Sequence, residues 1–185
     1  YLAGAECLGD VLEGEGYTSV FMGGAAQSFA SKGQFLTEHG YETVLDRGTW
    51  EQLGETEMTE KWGLSDRRLF ANAESVVDEL EAKGDPFALT ILTLDTHEPA
   101  HVYEHCESLS SVPLTDATRC SAEAAAEFIE HVKARGYLEN TAIVVVGDHL
   151  KLLSDKYSYV DELESYPNRT IYNRIWSPED STALV

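Results

Sequence analysis

Two runs of apolar and β-branched residues dominate the hydrophobic pattern of the chain, Phe87 to Leu94 and Ala142 to Val146. Neither alternates with polar residues, which is how a strand covered on both faces reads when a sheet lies between helices. Ser19 to Met22 is a third, shorter run that stops at Gly23 and Gly24. A fourth, Thr170 to Trp176, has the mixed character of an edge strand and is followed by Pro178. Helical patterns fill the intervals. Ala5 to Leu12 is a short amphipathic stretch ended by Gly14 and Gly16, and Gln34 to His39 is another, closed by Gly40. Ser65 is placed to cap a long helix reaching Lys83, with Asp66 in its first turn and Gly84 as its stop. Ser121 is expected to cap a helix over Ala122 to Arg135, with Ala126, Ile129 and Val132 or the Lys133 stem facing inward. The alternation predicts an α/β fold: a layered sheet flanked by helices, with right-handed crossovers and no internal repeat.

Length and charge narrow the picture. A chain of 185 residues, 43% hydrophobic, is expected to bury one core as one domain, and no stretch is apolar for long enough to cross a membrane. Tyr1 to Glu6 lack the basic start and apolar centre of a signal peptide, so the sequence reads as a piece that begins inside a domain. The net charge of -20 argues against contact with nucleic acid or an anionic membrane surface through this region. No phosphate-binding loop is present, because Gly23 and Gly24 lead into Ala25, Ala26 and Gln27 without Lys-Ser or Lys-Thr. No G-x-S-x-G nucleophile elbow exists either. Cys7, Cys106 and Cys120 show no C-x-x-C spacing. Cys106 and Cys120 bracket a polar, Ser/Thr-rich segment that a disulfide would hold, implying an oxidising compartment; three reduced cysteines are the alternative.

The candidate chemistry sits where the two long apolar runs end. The second leads into Gly147, Asp148 and His149, and past the last ladder position a carboxylate and an imidazole in sequence can turn toward one cation. The first ends in Asp95, Thr96, His97, Glu98 and Pro99. In open α/β sheets ligands collect at the carboxyl ends of strands, so neighbouring strands would give His97 and the Asp148/His149 pair a common rim. His101 and His105 follow at helical spacing, but Pro99 argues for a loop there.

These motifs carry a resemblance. Gly147-Asp148-His149-Leu150, Leu94-Asp95-Thr96-His97-Glu98-Pro99 and Trp62-Gly63-Leu64-Ser65-Asp66 resemble the sulfatase-like phosphoglycerol transferases of the alkaline phosphatase superfamily. So do Cys7-Leu8-Gly9-Asp10-Val11-Leu12, Phe35-Leu36 with His39-Gly40, and the two loop cysteines. The likeness is to the phosphoglycerol transferase I type, with lipoteichoic acid synthases as cousins, and it spans nearly the whole chain. It implies that residues 1–185 are the carboxyl-side portion of an extracytoplasmic catalytic domain, joined to the membrane through an N-terminal region outside this sequence. It implies Asp148 and His149 as ligands of a divalent metal, Mn2+ first and Mg2+ or Zn2+ next, and His97 as a catalytic residue contacting the substrate phosphate. The synthases hold glycerol phosphate with a Ser-Phe-Trp-Asn-Arg segment. The matching stretch is Ser28-Phe29-Ala30-Ser31-Lys32, so Lys32 keeps a positive charge for substrate while Ala30 removes the ring. The implied reaction moves glycerol phosphate from a phosphatidylglycerol-type lipid donor to a cell-envelope glycan acceptor. Its Thr or Ser nucleophile and a further acidic ligand would lie upstream, so the fragment alone should not turn over. A sulfatase or phosphoethanolamine transferase of the same superfamily, or a non-catalytic glycan- or anion-binding domain, is the alternative.

Overall fold

A computed structural model describes residues 4–152 and 160–178, so half of the Tyr1 to Glu6 stretch lies outside the described residues. The elements follow as α1 (Leu8–Gly14), β1 (Thr18–Gly23), α2 (Lys32–Glu38), β2 (Thr43–Leu45), α3 (Arg47–Gln52), β3 (Met58–Thr59), β4 (Gly63–Leu64), α4 (Asp66–Lys83), β5 (Phe87–Leu92), α5 (Pro113–Ala134), β6 (Ile143–Val146), α6 (Val160–Glu164) and β7 (Asn173–Trp176). They fall into two compact units, residues 1–132 and 133–185.

In the first unit β1 is central, paired in parallel with β2 on one side and β5 on the other. Its apolar run is buried from Ser19 to Gly23, as a strand covered on both faces must be. One face of this sheet carries Val20 and Met22 with Leu45, Leu89 and Ile91. Against them pack Leu69, Ala73, Val76 and Leu80 of α4 and Phe128 of α5. Leu69 and Met22 are both 0% exposed, and each such side chain contributes about 2 kcal/mol on burial. The opposite face places Phe21 edge-on to Tyr41, whose hydroxyl lies 2.9 Å from Thr90 Oγ1.

Helix α4 forms where its caps predict. Ser65 Oγ accepts from the Arg68 amide at 3.3 Å, and Gly84 leaves the helix with φ +73°. Helix α5 departs from expectation. It begins at Pro113 rather than after Ser121, so Ser121 is a buried interior position. The cause is Pro113, favoured in a first helical turn, with Asp116 one turn in, whose carboxylate accepts the Ser110 amide at 3.1 Å. The inward face is consequently Ala117, Ser121, Ala124, Phe128 and Val132, while Ala126 is exposed and Ile129 half-buried. Cys106 and Cys120 are joined, with an S–S distance of 2.00 Å and Cα atoms 5.6 Å apart, tying the preceding loop to the helix.

The second unit pairs β6 with β7, antiparallel, in register from Ile143 opposite Trp176 to Val146 opposite Asn173. The Ala142 to Val146 run is therefore not covered on both faces among the described residues. Its burial alternates, and Val144 and Val146 are 59% and 54% exposed. An antiparallel pair needs only one covered face, and the other carries Val144 and Val146, exposed among the described residues.

Candidate functional site

The carboxyl ends of β1, β2 and β5 converge on one rim, the position where a parallel sheet gathers ligands. Beyond β1 the chain turns at Gly23 and Gly24 under two close contacts. The Trp50 indole donates to the Gly23 carbonyl at 2.9 Å, and the Leu64 amide donates to the Gly24 carbonyl at 3.2 Å. Gly63, at φ +80°, lies so near that a Cβ on it would stand 1.9 Å from the Gly24 oxygen. Only glycine permits both that conformation and that approach. The consequence is positional: Trp62, preceding Gly63, is held over the end of β1.

Beyond β2, Asp46 caps α3 through the Gly48 amide at 3.0 Å and accepts the Gln27 amide at 2.8 Å. Between these anchors Ala30 and Ser31 take left-handed conformations, φ 53° and 57°. Such residues store about 1 kcal/mol or more each, which the surrounding anchors hold in place. Lys32 follows, its Nζ 5.2 Å from the centre of the Phe21 ring. It is half-buried rather than a solvated surface lysine, and burial pushes its pKa down while Asp46 draws it partly back.

Beyond β5, the loop is built on carboxylates. The Asp66 side chain accepts the Leu94 amide at 2.7 Å, the Asp95 amide at 3.2 Å and the Ser121 hydroxyl at 2.7 Å. Asp95 returns the favour by accepting the Asp66 amide at 2.9 Å. Asp66 is 1% exposed, and burial raises its pKa; the same cause, then the Asp66 charge, raises Asp95 to about 7. This knot fixes the turn that presents His97.

His97 is exposed, and its ring packs against Trp62 with centroids 4.0 Å apart and the planes tilted by 40°, while Phe29 meets Trp62 edge-on at 6.1 Å. Its Nδ1 lies 2.9 Å from the Glu98 carbonyl, which only accepts, so Nδ1 carries a proton. Beside this aromatic row is an open cleft of ≈ 280 Å³ whose lining includes Ser28, Phe29, Arg47, Glu60, Lys61 and Trp62. Arg47 and Lys61 bring positive charge to it, set against Glu60 in the lining and Glu51, which Arg47 bonds at 2.7 Å. His101 and His105 lie in loop, as Pro99 indicated; His105 Nδ1 is 3.6 Å from Glu57 and joins no metal set with His97.

Asp148 and His149 stand at the end of β6 in the second unit, each side chain 71% exposed. Asp148 Oδ2 and His149 Nε2 are 3.5 Å apart, and His149 Nδ1 donates to the Leu150 carbonyl at 2.8 Å. That hydrogen bond leaves Nε2 with its lone pair, the arrangement common to metal-binding histidines. Carboxylate oxygen and imidazole nitrogen at this separation fit two positions around one divalent cation, with the remaining positions to be filled by other groups.

Comparison with known proteins places these features. The sulfatase family profile, described as Sulfatase, matches residues 3–170. The chain belongs to the sulfatase family. It is 36% identical over 163 residues to phosphoglycerol transferase I of Xanthomonas axonopodis pv. citri (strain 306), covering 84% of this chain and 23% of that protein. It is 32% identical over 164 residues to phosphoglycerol transferase I of Citrobacter koseri, covering 84% and 22%. The chain thus spans less than a quarter of these relatives. Among solved structures, an alkaline phosphatase superfamily protein from Vibrio parahaemolyticus aligns with TM-score 0.66 and 26% identity, over 77% of this chain and 35% of that one. The lipoteichoic acid synthase LtaP from Listeria monocytogenes aligns with TM-score 0.71 and 19% identity, over 85% and 40%, a likeness of fold. The α/β architecture expected from the apolar runs is that of this superfamily, in part.

Sequence reading named His97, Lys32 and the Asp148/His149 pair as candidate site residues, but gave no separate part to Trp62, Arg47 or the Asp66–Asp95 knot, which the fold brings to the rim with His97. Trp62 had a signal in the Trp-Gly spacing before Ser65. Asp66 looked like an ordinary first-turn acid, and only the fold shows three donors turned upon it.

Proposed function

We propose that residues 1–185 are the carboxyl-side portion of the catalytic domain of a phosphoglycerol transferase, standing on the extracytoplasmic face of a cell membrane and joined to it by an N-terminal region. The observation that carries the reading is the Asp148/His149 pair, with its free Nε2 3.5 Å from a carboxylate oxygen, in a chain 36% identical to phosphoglycerol transferase I. Asp148 and His149 would hold a divalent cation, Mn2+ first and Mg2+ or Zn2+ next; when bound, it supplies Lewis acidity toward a phosphodiester and lowers the pKa of a neighbouring hydroxyl. The donor is a phosphatidylglycerol-type lipid and the acceptor a cell-envelope glycan. A Thr or Ser hydroxyl contributed by the rest of the protein attacks phosphorus, the bond to the diacylglycerol oxygen breaks, and a sugar hydroxyl then takes the glycerophosphoryl group.

This chain's own residues hold the anion. His97, presented by the Asp66–Asp95 knot and packed against Trp62, is the catalytic residue of the segment; with Nδ1 bonded to the Glu98 carbonyl, it contacts a phosphate oxygen as the imidazolium, donating through Nε2–H. Lys32 adds charge at the same rim, where negative charge gathers as phosphorus is attacked. Lys32 beside Phe21 of β1 and Lys61 beside Trp62 supply positive charge along this rim of an acidic protein, which favours an anionic phosphate over a neutral substrate. The test is transfer of labelled glycerol phosphate from lipid vesicles to glucan by the complete enzyme. His149→Ala should abolish transfer, and retained activity would sink the metal assignment. His97→Ala should lower kcat by about a hundredfold or more, as loss of one group stabilising transition-state charge does.

A further inference from the structure

Far from the rim, at the start of the first unit, α1 and the end of α2 are pressed together through two glycines. A Cβ on Gly9 would stand 2.0 Å from the His39 carbonyl oxygen, and one on Gly40 2.3 Å from the Gly9 oxygen. Backbones so close bring three side chains of different chemistry into one spot. The Cys7 amide donates to Asp10 Oδ2 at 2.7 Å, and His39 Nδ1 lies 2.8 Å from the same oxygen. One donor atom each from Cys7, Asp10 and His39 lies within 4.8 Å of the others. His39 is 5% exposed, whereas Cys7 and Asp10 are half-buried, so the group is rigid on one side and open on the other.

Two further facts bear on what such a group does. Cys106 and Cys120 are spent in a disulfide, which removes their grouping with His105 from consideration and leaves Cys7 as the free thiol of this chain. Among the described residues, the Cys7 amide and His39 both meet the Asp10 carboxylate at Oδ2. A sulfur, an imidazole nitrogen and a carboxylate oxygen are the donor set of a thiophilic cation, in contrast to the nitrogen and oxygen of Asp148 and His149.

We propose that Cys7, Asp10 and His39 form a binding site for zinc or a similarly thiophilic divalent cation, clamping the first turn of α1 to the end of α2. Metal–ligand bonds of about 2.0 to 2.3 Å put tetrahedral donors roughly 3.5 Å apart, which these side chains reach by small rotations. Three protein donors leave a fourth position at the open side.

The test follows the reactivity of Cys7 in the intact protein with its disulfide oxidised, using an aromatic disulfide reagent, with Cys7→Ala subtracted to remove any other thiol. Saturating zinc should slow modification of Cys7 roughly tenfold or more, and a chelator should restore the rate, because a metal-bound thiolate is shielded. Cobalt(II) should give a sulfur-to-metal charge-transfer band in the near ultraviolet that Cys7→Ser lacks. His39→Gln should abolish zinc protection while the circular dichroism stays native. Where that variant fails to fold, the cobalt band in the wild type and its loss in Cys7→Ser decide. An unchanged modification rate with zinc, or no cobalt band, overturns the proposal. Neither readout involves transferase activity, so the result stands apart from the proposed reaction.

Discussion

Replacing Asp66 by alanine tests the structural basis of the rim directly. The Asp66 carboxylate accepts the amides of Leu94 and Asp95 and the hydroxyl of Ser121, three donors from two parts of the chain. Removing it leaves all three without an acceptor in a space only as large as a carboxymethyl group. An orphaned buried donor costs about 1 to 3 kcal/mol, and the half-buried loop amides belong at the low end of that range. Relief from burying the carboxyl itself offsets part of the loss, since burial is what raises the Asp66 pKa. The net expectation is a destabilisation of roughly 3 kcal/mol, a large share of the about 5 to 15 kcal/mol that holds a domain together. Ser121→Ala removes one donor and its bond together and should cost about 1 kcal/mol. Because both changes dismantle one network, the double variant should lose less than the sum of the singles. Urea unfolding followed by tryptophan fluorescence reads all three, with Trp50 in the core as the reporter. A loss below about 1 kcal/mol for Asp66→Ala would show that water or loop rearrangement satisfies the donors equally well, and that the carboxylate does not position His97.

Other outcomes follow from the same rim. Gly63→Ala forces a left-handed alanine and sets its Cβ 1.9 Å from the Gly24 oxygen, so it should destabilise by about 2 to 4 kcal/mol and weaken quenching of Trp62 by His97, while Gly54→Ala, equally left-handed but with open space around it, should show only the smaller conformational part. Asp95, raised to about 7 in the fold from an ordinary 3.8, binds a proton in the folded state that the unfolded chain has already released, and Asp66, raised by burial, acts in the same sense; stability should therefore fall as pH rises from about 4 to 7, and Asp95→Asn should flatten that slope in urea midpoints taken from pH 5 to 8, leaving the part due to Asp66. Glu55, lowered chiefly by its bond from Arg68, and Glu57, which burial raises but the bonds from Arg67 and Ser65 lower on balance, act in the opposite sense, their contribution being lost as pH falls below about 4.5, outside this window. Reducing the Cys106–Cys120 bond, which closes a loop of sequence separation 14, should lower stability by about 3 kcal/mol; an unchanged thermal midpoint would show that the Asp116 hydrogen bonds alone hold that loop.

Which parts of this molecule were legible in its sequence depends on where the determining interaction lies. Helix α4 was, because a cap at Ser65 and a stop at Gly84 are local chemistry that acts within one turn. Strands β1 and β5 were, because consecutive apolar residues have few other places to go. Helix α5 was half legible: its body is amphipathic, but its start is set by Pro113 and by Asp116 reaching back to loop amides, and Ser121 imitates a cap while serving as a buried donor to Asp66. The β6 run misled because an apolar sequence reports that a strand is suited to cover, not which faces of it this chain covers. The same distinction governs the site. His97, Asp148 and His149 announce themselves by type and by following a strand, but what makes His97 useful is remote in sequence: a ring at position 62, a glycine at 63 that only a close backbone requires, and a buried acid at 66. Trp62 is the instructive case. The stretch from Ser28 to Lys32 lacks an aromatic ring at Ala30, yet the fold brings one to the rim from the loop before β4, packed at a tilt against the histidine and meeting Phe29 edge-on. A residue absent from its expected place in the sequence need not be absent from the site. In the proposed reaction, the surface that meets the glycerophosphoryl group is therefore better read from the neighbours of His97 than from the segment that carries Lys32.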